Sequence, residues 1–122
     1  GSMDRVLVDA PCSGLGVLRR RPESRWWLRP DDVDRAAALQ RRLLVAAAGA
    51  LRPGGLLAYC VCTLTRAETA DVEAWAMAEF PHLRAQPPPG PPWRPLGGGA
   101  ILLPGDAGTD GMYLLLLRAP SS

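Results

Sequence analysis

Residues 6–14 read VLVDAPCSG, a short apolar run that ends in an acid, a proline, a cysteine and a turn of small residues. Residues 56–63, LLAYCVCT, have the same arrangement, because a second apolar run ends in the thiol of Cys62. Both runs have the length and composition of buried strands. If the strands are parallel neighbours, their carboxyl ends open onto one edge of the sheet, where open α/β sheets bind ligands. The pattern therefore makes Cys12 and Cys62 candidates for chemistry in a shared crevice.

The residues around these two runs predict alternating strands and helices. In chain order we predict a strand at 5–9 that is buried on both faces, an irregular segment at 10–30, a helix at 31–51, a strand at 56–61 and a helix at 67–80. The first helix has apolar residues and Gln40 at helical spacing, and Asp31 or Asp32 is a good N-cap for it. The turn Pro53-Gly54-Gly55 ends that helix. This order indicates an α/β fold with a mainly parallel sheet.

The C-terminal third of the chain has a different pattern. Residues 86–99 are nearly all proline and glycine, so we predict a mobile surface loop there. Two apolar runs, 101–103 and 112–117, flank a turn rich in glycine and aspartate and predict a hairpin. A hairpin at this place would give the sheet an antiparallel edge.

The composition limits the class of protein. The 122 residues are enough for one small domain. Three cysteines, with no C-x-x-C pair and no signal peptide, indicate a reducing compartment and predict a cytoplasmic protein. One histidine and badly spaced thiols argue against zinc, so no metal site is predicted. The apolar stretches are interrupted before they could span a bilayer, so no membrane association is predicted.

Three separate motifs together resemble a known family. Residues 9–14, DAPCSG, residues 59–63, YCVCT, and residues 110–113, DGMY, are similar to blocks of the Sun/Fmu family of RNA 5-methylcytosine methyltransferases. The segment 19–26 and the pair Leu39-Gln40 are similar to the family as well. The sequence departs from the usual pattern at Val61, where threonine is common, and at Cys60, where serine is common. A lost hydroxyl at these positions could weaken support for the base without removing the nucleophile.

The resemblance covers residues 4–119 and has consequences for the whole chain. It implies the second half of a Rossmann-like, S-adenosylmethionine-dependent methyltransferase sheet, with most of the cofactor pocket outside this chain. The upstream cofactor-binding half is expected to be absent, and Gly1–Met3 are expected to be a remnant of cloning. Half a sheet leaves an unpaired edge and an apolar face. We therefore expect self-association, exchange of elements, or pairing with the missing N-terminal half.

The resemblance also implies a role for each strand-end residue. Cytosine C5 is a poor nucleophile, and a thiolate that attacks C6 pushes electrons into the ring. By resemblance, Cys62 is that nucleophile and Cys12 assists release of the methylated product. Asp9 would lie between base and cofactor, and Asp9 and Pro11 would contact S-adenosylmethionine. Without the resemblance, Asp9 could simply cap the turn and Pro11 could simply shape it.

An arginine-rich segment with tryptophan next to the first thiol suggests contact with ribosomal or transfer RNA. All 14 basic residues are arginine, although the net charge is only +2. Arginine pairs with phosphates while an indole stacks on an unpaired base. The alternative is a solvated run with one tryptophan in the core. The candidate RNA contacts are Arg19, Arg20, Arg21, Arg25 and Trp26.

Three other functions compete with an RNA methyltransferase. The chain could be an inactive fragment or an RNA-binding remnant of such an enzyme, and we expect it to be inactive by itself. A thiol redox protein that uses Cys60-Val61-Cys62 is disfavoured, because C-x-C lacks the helix N-terminus that usually lowers the pKa of the attacking thiol. A DNA cytosine methyltransferase would attack from a Pro-Cys thiol, and the second cysteine block argues against it. We interpret Cys60 as a small buried hydrophobic residue.

Overall fold

The computed structural model describes residues 1–12, 30–104 and 111–121. Strands and helices alternate in its first part, which confirms the predicted α/β class. Among the described residues, no helix combines the length and apolar character needed to cross a membrane. The elements are β1 Met3–Asp9, α1 Pro30–Ala50, β2 Leu51–Val61, a 3₁₀ helix Arg66–Glu68, α2 Ala70–Glu79, β3 Arg84–Ala85, β4 Arg94–Leu96, β5 Gly99–Leu102 and β6 Met112–Arg118.

The strands form one sheet in the order β1-β2-β6-β5-β4, with β3 paired to β6 as well. The neighbours β1 and β2 are parallel, as predicted. The predicted hairpin of β5 and β6 is confirmed as an antiparallel pair. Among the described residues the remaining pairings, β2 with β6, β3 with β6 and β4 with β5, are antiparallel too. The antiparallel part of the sheet is therefore larger than predicted, because β6 returns along β2 and short strands pair along its other side.

Helices α1 and α2 cover one face of the sheet. Alternate residues of β2 and β6, among them Tyr59 and Leu115, are fully buried on this face, as the period of two in a strand requires. Leu44 of α1 and Val72 of α2 are fully buried in the same cluster. This apolar layer holds the two helices against the strands.

Strand β1 departs from the prediction of burial on both faces. Val8 is buried, but Leu7 has 70% of its surface exposed. The reason is the position of β1 at the end of the sheet, with the helices packed on one face only. The strand also begins at Met3, inside the segment expected to be a remnant of cloning, and Met3 pairs with Leu51.

Strand β2 begins five residues before the predicted start. It begins at Leu51, directly after the last residue of α1. The turn Pro53-Gly54-Gly55, which was predicted to separate the helix from the strand, lies inside β2 instead. Opposite this turn, the register of β1 against β2 shifts between Met3 and Arg5. Gly54 has a φ of 78°, which glycine adopts at low cost. The backbone N–H of Gly54 donates to Pro120 over 2.8 Å. A bulge of this kind lets a strand continue through a turn sequence.

The predicted loop at 86–99 contains regular structure at its C-terminal end. Arg94–Leu96 form β4, which pairs with β5, and Gly99 already belongs to β5. The turn between these strands is held by Glu73 of α2, whose Oε1 accepts a 2.6 Å hydrogen bond from the N–H of Gly98. A tertiary contact from a helix therefore orders residues whose composition alone predicts a loop.

Candidate active site

The carboxyl ends of β1 and β2 lie side by side. Asp9, the last residue of β1, is the register partner of Cys60, and the N–H of Ala10 donates a 3.1 Å hydrogen bond to the carbonyl of Cys60. Cys12 follows two residues after Ala10, and Cys62 follows directly after the end of β2. The structure thus brings three of the predicted residues, Asp9, Cys12 and Cys62, to one end of the sheet, where α/β sheets bind ligands.

All three cysteines are half-buried. Burial, the nearby Cys62, Asp9 and Cys12, in that order of importance, raise the pKa of the Cys60 thiol to about 11. Cys60 is therefore protonated near neutral pH and is a poor nucleophile. These contributions also indicate that Cys62, Asp9 and Cys12 all lie within electrostatic reach of Cys60. Cys12 packs against the apolar core, so apolar contacts hold the residue that carries the first thiol.

A fully buried glutamine connects the two cysteine segments. Gln40 lies in the middle of α1, and its Nε2 donates a 3.1 Å hydrogen bond to the backbone carbonyl of Pro11. The same Nε2 donates a 3.2 Å hydrogen bond to Oε1 of Glu68. One side chain therefore contacts the residue before Cys12 and the 3₁₀ helix that follows Cys62.

The carboxylate of Glu68 is the second part of this connection, and it is fully buried. Its Oε2 accepts hydrogen bonds from the hydroxyls of Thr63 at 3.0 Å and Thr65 at 2.5 Å. The hydroxyl of Tyr59 donates to the backbone carbonyl of Glu68 at 2.8 Å. Burial, followed by the charge of Glu68, raises the pKa of Tyr59, which keeps this hydroxyl a donor. The segment after Cys62 is thus held by buried hydrogen bonds that converge on Glu68, although the buried Oε1 of Gln40 accepts none from the described residues.

The sequence contained signals for Gln40 and Glu68, the two residues that connect the cysteine segments. Gln40 is a polar side chain at a position where the helical pattern of α1 places apolar ones. Thr65 and Glu68 stand three residues apart, the spacing of a helix capping box. Neither signal names a long-range partner, because the Gln40 and Glu68 side chains meet only in the folded chain.

Asp9 and Pro11, the predicted cofactor contacts, line one groove of about 470 Å³. The groove runs between β1 and α1 and has an apolar wall that includes Leu39 and Leu43. Both Asp9 and Pro11 have exposed side chains. A carboxylate at the rim of an apolar groove can accept hydrogen bonds from a ligand whose rings or carbons cover the apolar wall.

The predicted RNA contacts Arg19, Arg20, Arg21, Arg25 and Trp26 lie outside the described residues. So do most of the irregular segment predicted at 10–30 and the turn that connects β5 to β6. Their role in binding RNA stays a prediction.

Comparison with known proteins identifies similar sequences along nearly the whole chain. Residues 1–118 match the family model described as 16S rRNA methyltransferase RsmB/F. The ribosomal RNA small subunit methyltransferase B of Thermus thermophilus is 43% identical over 97% of this chain and 30% of its own length. The mouse tRNA (cytosine(72)-C(5))-methyltransferase NSUN6 is 46% identical over 70% of this chain and 17% of its own length.

A solved structure has the same fold. The crystal structure of NSun6 from Pyrococcus horikoshii with SFG, an analogue of S-adenosylmethionine, aligns with a TM-score of 0.74 and 29% identity. The alignment covers 93% of this chain and 29% of that protein. The chain spans between 16% and 30% of the length of the curated relatives that it matches.

Proposed function

Because the chain belongs to the RsmB/F family of 16S rRNA methyltransferases, the family predicted as Sun/Fmu, we propose that it forms the catalytic part of an RNA cytosine-5 methyltransferase. The proposal rests above all on the juxtaposition of Cys12 and Cys62 at the ends of parallel neighbouring strands. Ribosomal or transfer RNA is the proposed substrate. The names of relatives support both RNA classes, and the mouse relative's name includes methylation at cytosine C5.

In the proposed reaction, Sγ of Cys62 attacks C6 of the target cytosine as a thiolate. The new S–C6 bond forms as the C5=C6 π bond opens, and its electrons make C5 nucleophilic enough to take a methyl group. Loss of the C5 proton then returns those electrons to the ring and expels the thiolate of Cys62. We assign assistance in this release to Cys12. Cys60 takes no part, because its pKa of about 11 keeps it protonated.

S-adenosylmethionine is the proposed methyl donor, and the residues present fit one wall of its site. Bound in the full protein, it would supply an electrophilic methyl group on a sulfonium. The exposed carboxylate of Asp9 and the backbone at Pro11 border the groove between β1 and α1, where they would contact it. Asp9 also stands at the end of the strand that leads to Cys12, so it would lie between cofactor and base. In the full-length protein, residues upstream of the region described here would form most of the cofactor pocket.

The outer side of β1 is the proposed meeting point with that upstream part. β1 ends the sheet among the described residues, and Leu7 exposes 70% of its surface there. An edge strand has unpaired backbone N–H and C=O groups, and together with an exposed leucine they favour pairing with another strand. We propose that in a full-length relative the remaining chain covers this edge. The chain by itself is expected to be inactive and to self-associate. A cytoplasmic location, predicted from the cysteines, completes the proposal.

The test is trapping with RNA that contains 5-fluorocytosine, whose C5 substituent cannot leave as a proton. A 16S rRNA transcript carrying this base is incubated with S-adenosylmethionine and the chain, with the upstream part of a relative supplied or withheld. We expect a covalent adduct that is lost in Cys62→Ala and kept in Cys12→Ala. If no adduct forms even with the upstream part present, the alternative of an inactive, family-like scaffold or RNA-binding remnant replaces the enzyme.

A further inference from the structure

The buried contact between Gln40 and Glu68 has no role in the reaction as described so far. We propose that Gln40 is a positioning residue that sets the spacing between Cys12 and Cys62 by linking their two segments through Glu68. The inference deepens the proposed function and rests on it for its catalytic consequence. Its structural claim, a bridge between two thiol-bearing segments, stands on the contacts alone.

On the Cys12 side, the bridge holds the backbone just after it leaves the sheet. The last ladder contact of this segment is the 3.1 Å hydrogen bond from Ala10 to Cys60. The next residue, Pro11, has an exposed ring, but its carbonyl accepts the 3.1 Å hydrogen bond from Gln40. Gln40 is carried by a helix whose Leu44, one turn further on, is fully buried. The hydrogen bond from Gln40 therefore fixes the backbone before Cys12 relative to α1, which is itself packed against the core.

On the Cys62 side, the bridge holds the residue directly after the thiol. Glu68 receives the second hydrogen bond of Gln40 on Oε1 and the hydroxyl of Thr63 on Oε2. Both Thr63 and Glu68 are fully buried. The path from Pro11 through Gln40 and Glu68 to Thr63 therefore consists of hydrogen bonds of 3.2 Å or less. Contacts in a buried network are stronger and more rigid than the same contacts in water.

An apolar side chain would serve the packing of α1 equally well at this position. The helical pattern places apolar residues around Gln40, and a methionine fills a similar volume. It would, however, leave the Pro11 carbonyl and Oε1 of Glu68 without the donor they share, and unmade buried hydrogen bonds are costly. The segments that carry Cys12 and Cys62 would then shift relative to each other, while the strands β1 and β2 that precede them stay in place.

The two chemical steps depend on this spacing to different extents. Attack on C6 uses only Cys62, whereas the assisted release also uses Cys12. Loss of the bridge should therefore slow release more than attack. A merely structural role of Gln40 would instead lower both steps together.

The experiment compares Gln40→Met with Gln86→Met, the other glutamine of the chain, whose half-buried side chain donates a solvent-exposed hydrogen bond to the carbonyl of Arg84. Each variant is assayed with the upstream part supplied. With the 5-fluorocytosine transcript, we expect Gln40→Met to form the adduct within about threefold of the wild-type rate. With an ordinary transcript, we expect turnover to fall about 10- to 100-fold, with accumulation of protein–RNA adduct, because a small misplacement has such effects.

A double variant tests whether Gln40 acts through Cys12. In a Cys12→Ala background the Gln40→Met substitution should cause no further loss of turnover, because interacting residues are not additive. Thr63→Val, which removes the last hydrogen bond of the path to Glu68, provides a second variant should Gln40→Met fold poorly. It should likewise slow release more than adduct formation. Unchanged turnover in Gln40→Met, or an equal loss in both steps, overturns the proposal.

A readout that does not need activity separates this proposal from the proposed function. If the wild type forms no adduct, the enzyme hypothesis fails, and the bridge is judged by cross-linking Cys12 to Cys62 with a short bifunctional maleimide in a Cys60→Ser background. We expect a cross-link in the parent and in Gln86→Met, and a yield lower by about threefold or more in Gln40→Met if the buried network fixes the spacing. An absent cross-link in the parent, or an equal yield in Gln40→Met, overturns the bridge.

Discussion

Asp9 and Cys60 are direct partners across the parallel strands β1 and β2, with the carboxylate close enough to influence the thiol. Burial contributes most to the raised pKa of Cys60, Cys62 comes next, and Asp9 follows. The Cys60 thiol is therefore held in its protonated form at neutral pH.

The raised pKa of Cys60 predicts a loss of stability at alkaline pH. The pKa is about 11 in the folded chain and 9.0 for an ordinary solvated thiol, so the unfolded chain ionises first as the pH rises. The stabilisation from this group is therefore complete below pH 9.0 and is lost as the pH rises towards about 11. We expect about 1–2 kcal/mol, because each pKa unit is about 1.4 kcal/mol and solvent screens a half-buried thiol.

Urea unfolding of wild type and Cys60→Ser across that pH range measures this effect. The difference in the free energy of unfolding between the two proteins should change between pH 9.0 and about 11, and stay constant below it. Parallel pH curves for the two proteins would contradict the assignment of the raised pKa.

Glu73 should stabilise the β4–β5 turn through its two hydrogen bonds. Oε1 accepts the N–H of Gly98 at 2.6 Å and Oε2 accepts the hydroxyl of Tyr113 at 2.8 Å. Glu73→Ala leaves both donors without this acceptor and should cost about 1–3 kcal/mol in the free energy of unfolding. Glu79→Ala, at the exposed end of the same helix, is the matched control and should change it by less than about 0.5 kcal/mol. Equal values for the two variants would remove Glu73 as an anchor of the turn.

Neighbouring residues of α1 offer a matched test of the core. Leu44 is fully buried, whereas Val45 exposes 49% of its surface. We expect Leu44→Ala to destabilise the chain by about 2–5 kcal/mol, because it removes apolar contacts and leaves a cavity. Val45→Ala should change the free energy of unfolding by less than about 1 kcal/mol. Thermal unfolding followed by circular dichroism measures both, and a larger effect at Val45 would mean that α1 packs by another face.

The exposed edge of β1 predicts association of the isolated chain. Leu7 on this edge is the most exposed of the large apolar side chains described. Leu7→Lys should shift the chain towards monomer, since a lysine on an edge strand opposes pairing. Val45→Lys, on the exposed side of α1, should leave association unchanged.

Light scattering over a concentration series distinguishes these variants. A wild-type chain that stays monomeric at all concentrations would contradict the prediction. The same degree of association in wild type and Leu7→Lys would place the contact elsewhere.

Much of the fold follows from local sequence. The apolar runs at 56–61 and 112–117 alternate between two faces as strands, and the apolar pattern of 31–51 is that of a helix, so these elements have the predicted type. The predicted helix at 67–80 is divided in the structure into the 3₁₀ helix Arg66–Glu68 and α2 Ala70–Glu79. The division coincides with Glu68, whose side chain turns inward to Thr63, Thr65 and Gln40.

The sequence by itself determined the order of strands and helices and the placement of Cys12 and Cys62 after two strands, because periodicity and turn residues act over a few neighbouring positions. Only the tertiary structure decided the exposure of Leu7, the strand at Arg94–Leu96, and the meeting of Gln40 with Glu68. These depend on contacts between residues far apart in the chain. Burial depends on what covers a side chain, and a buried hydrogen bond on which partner the fold brings within reach.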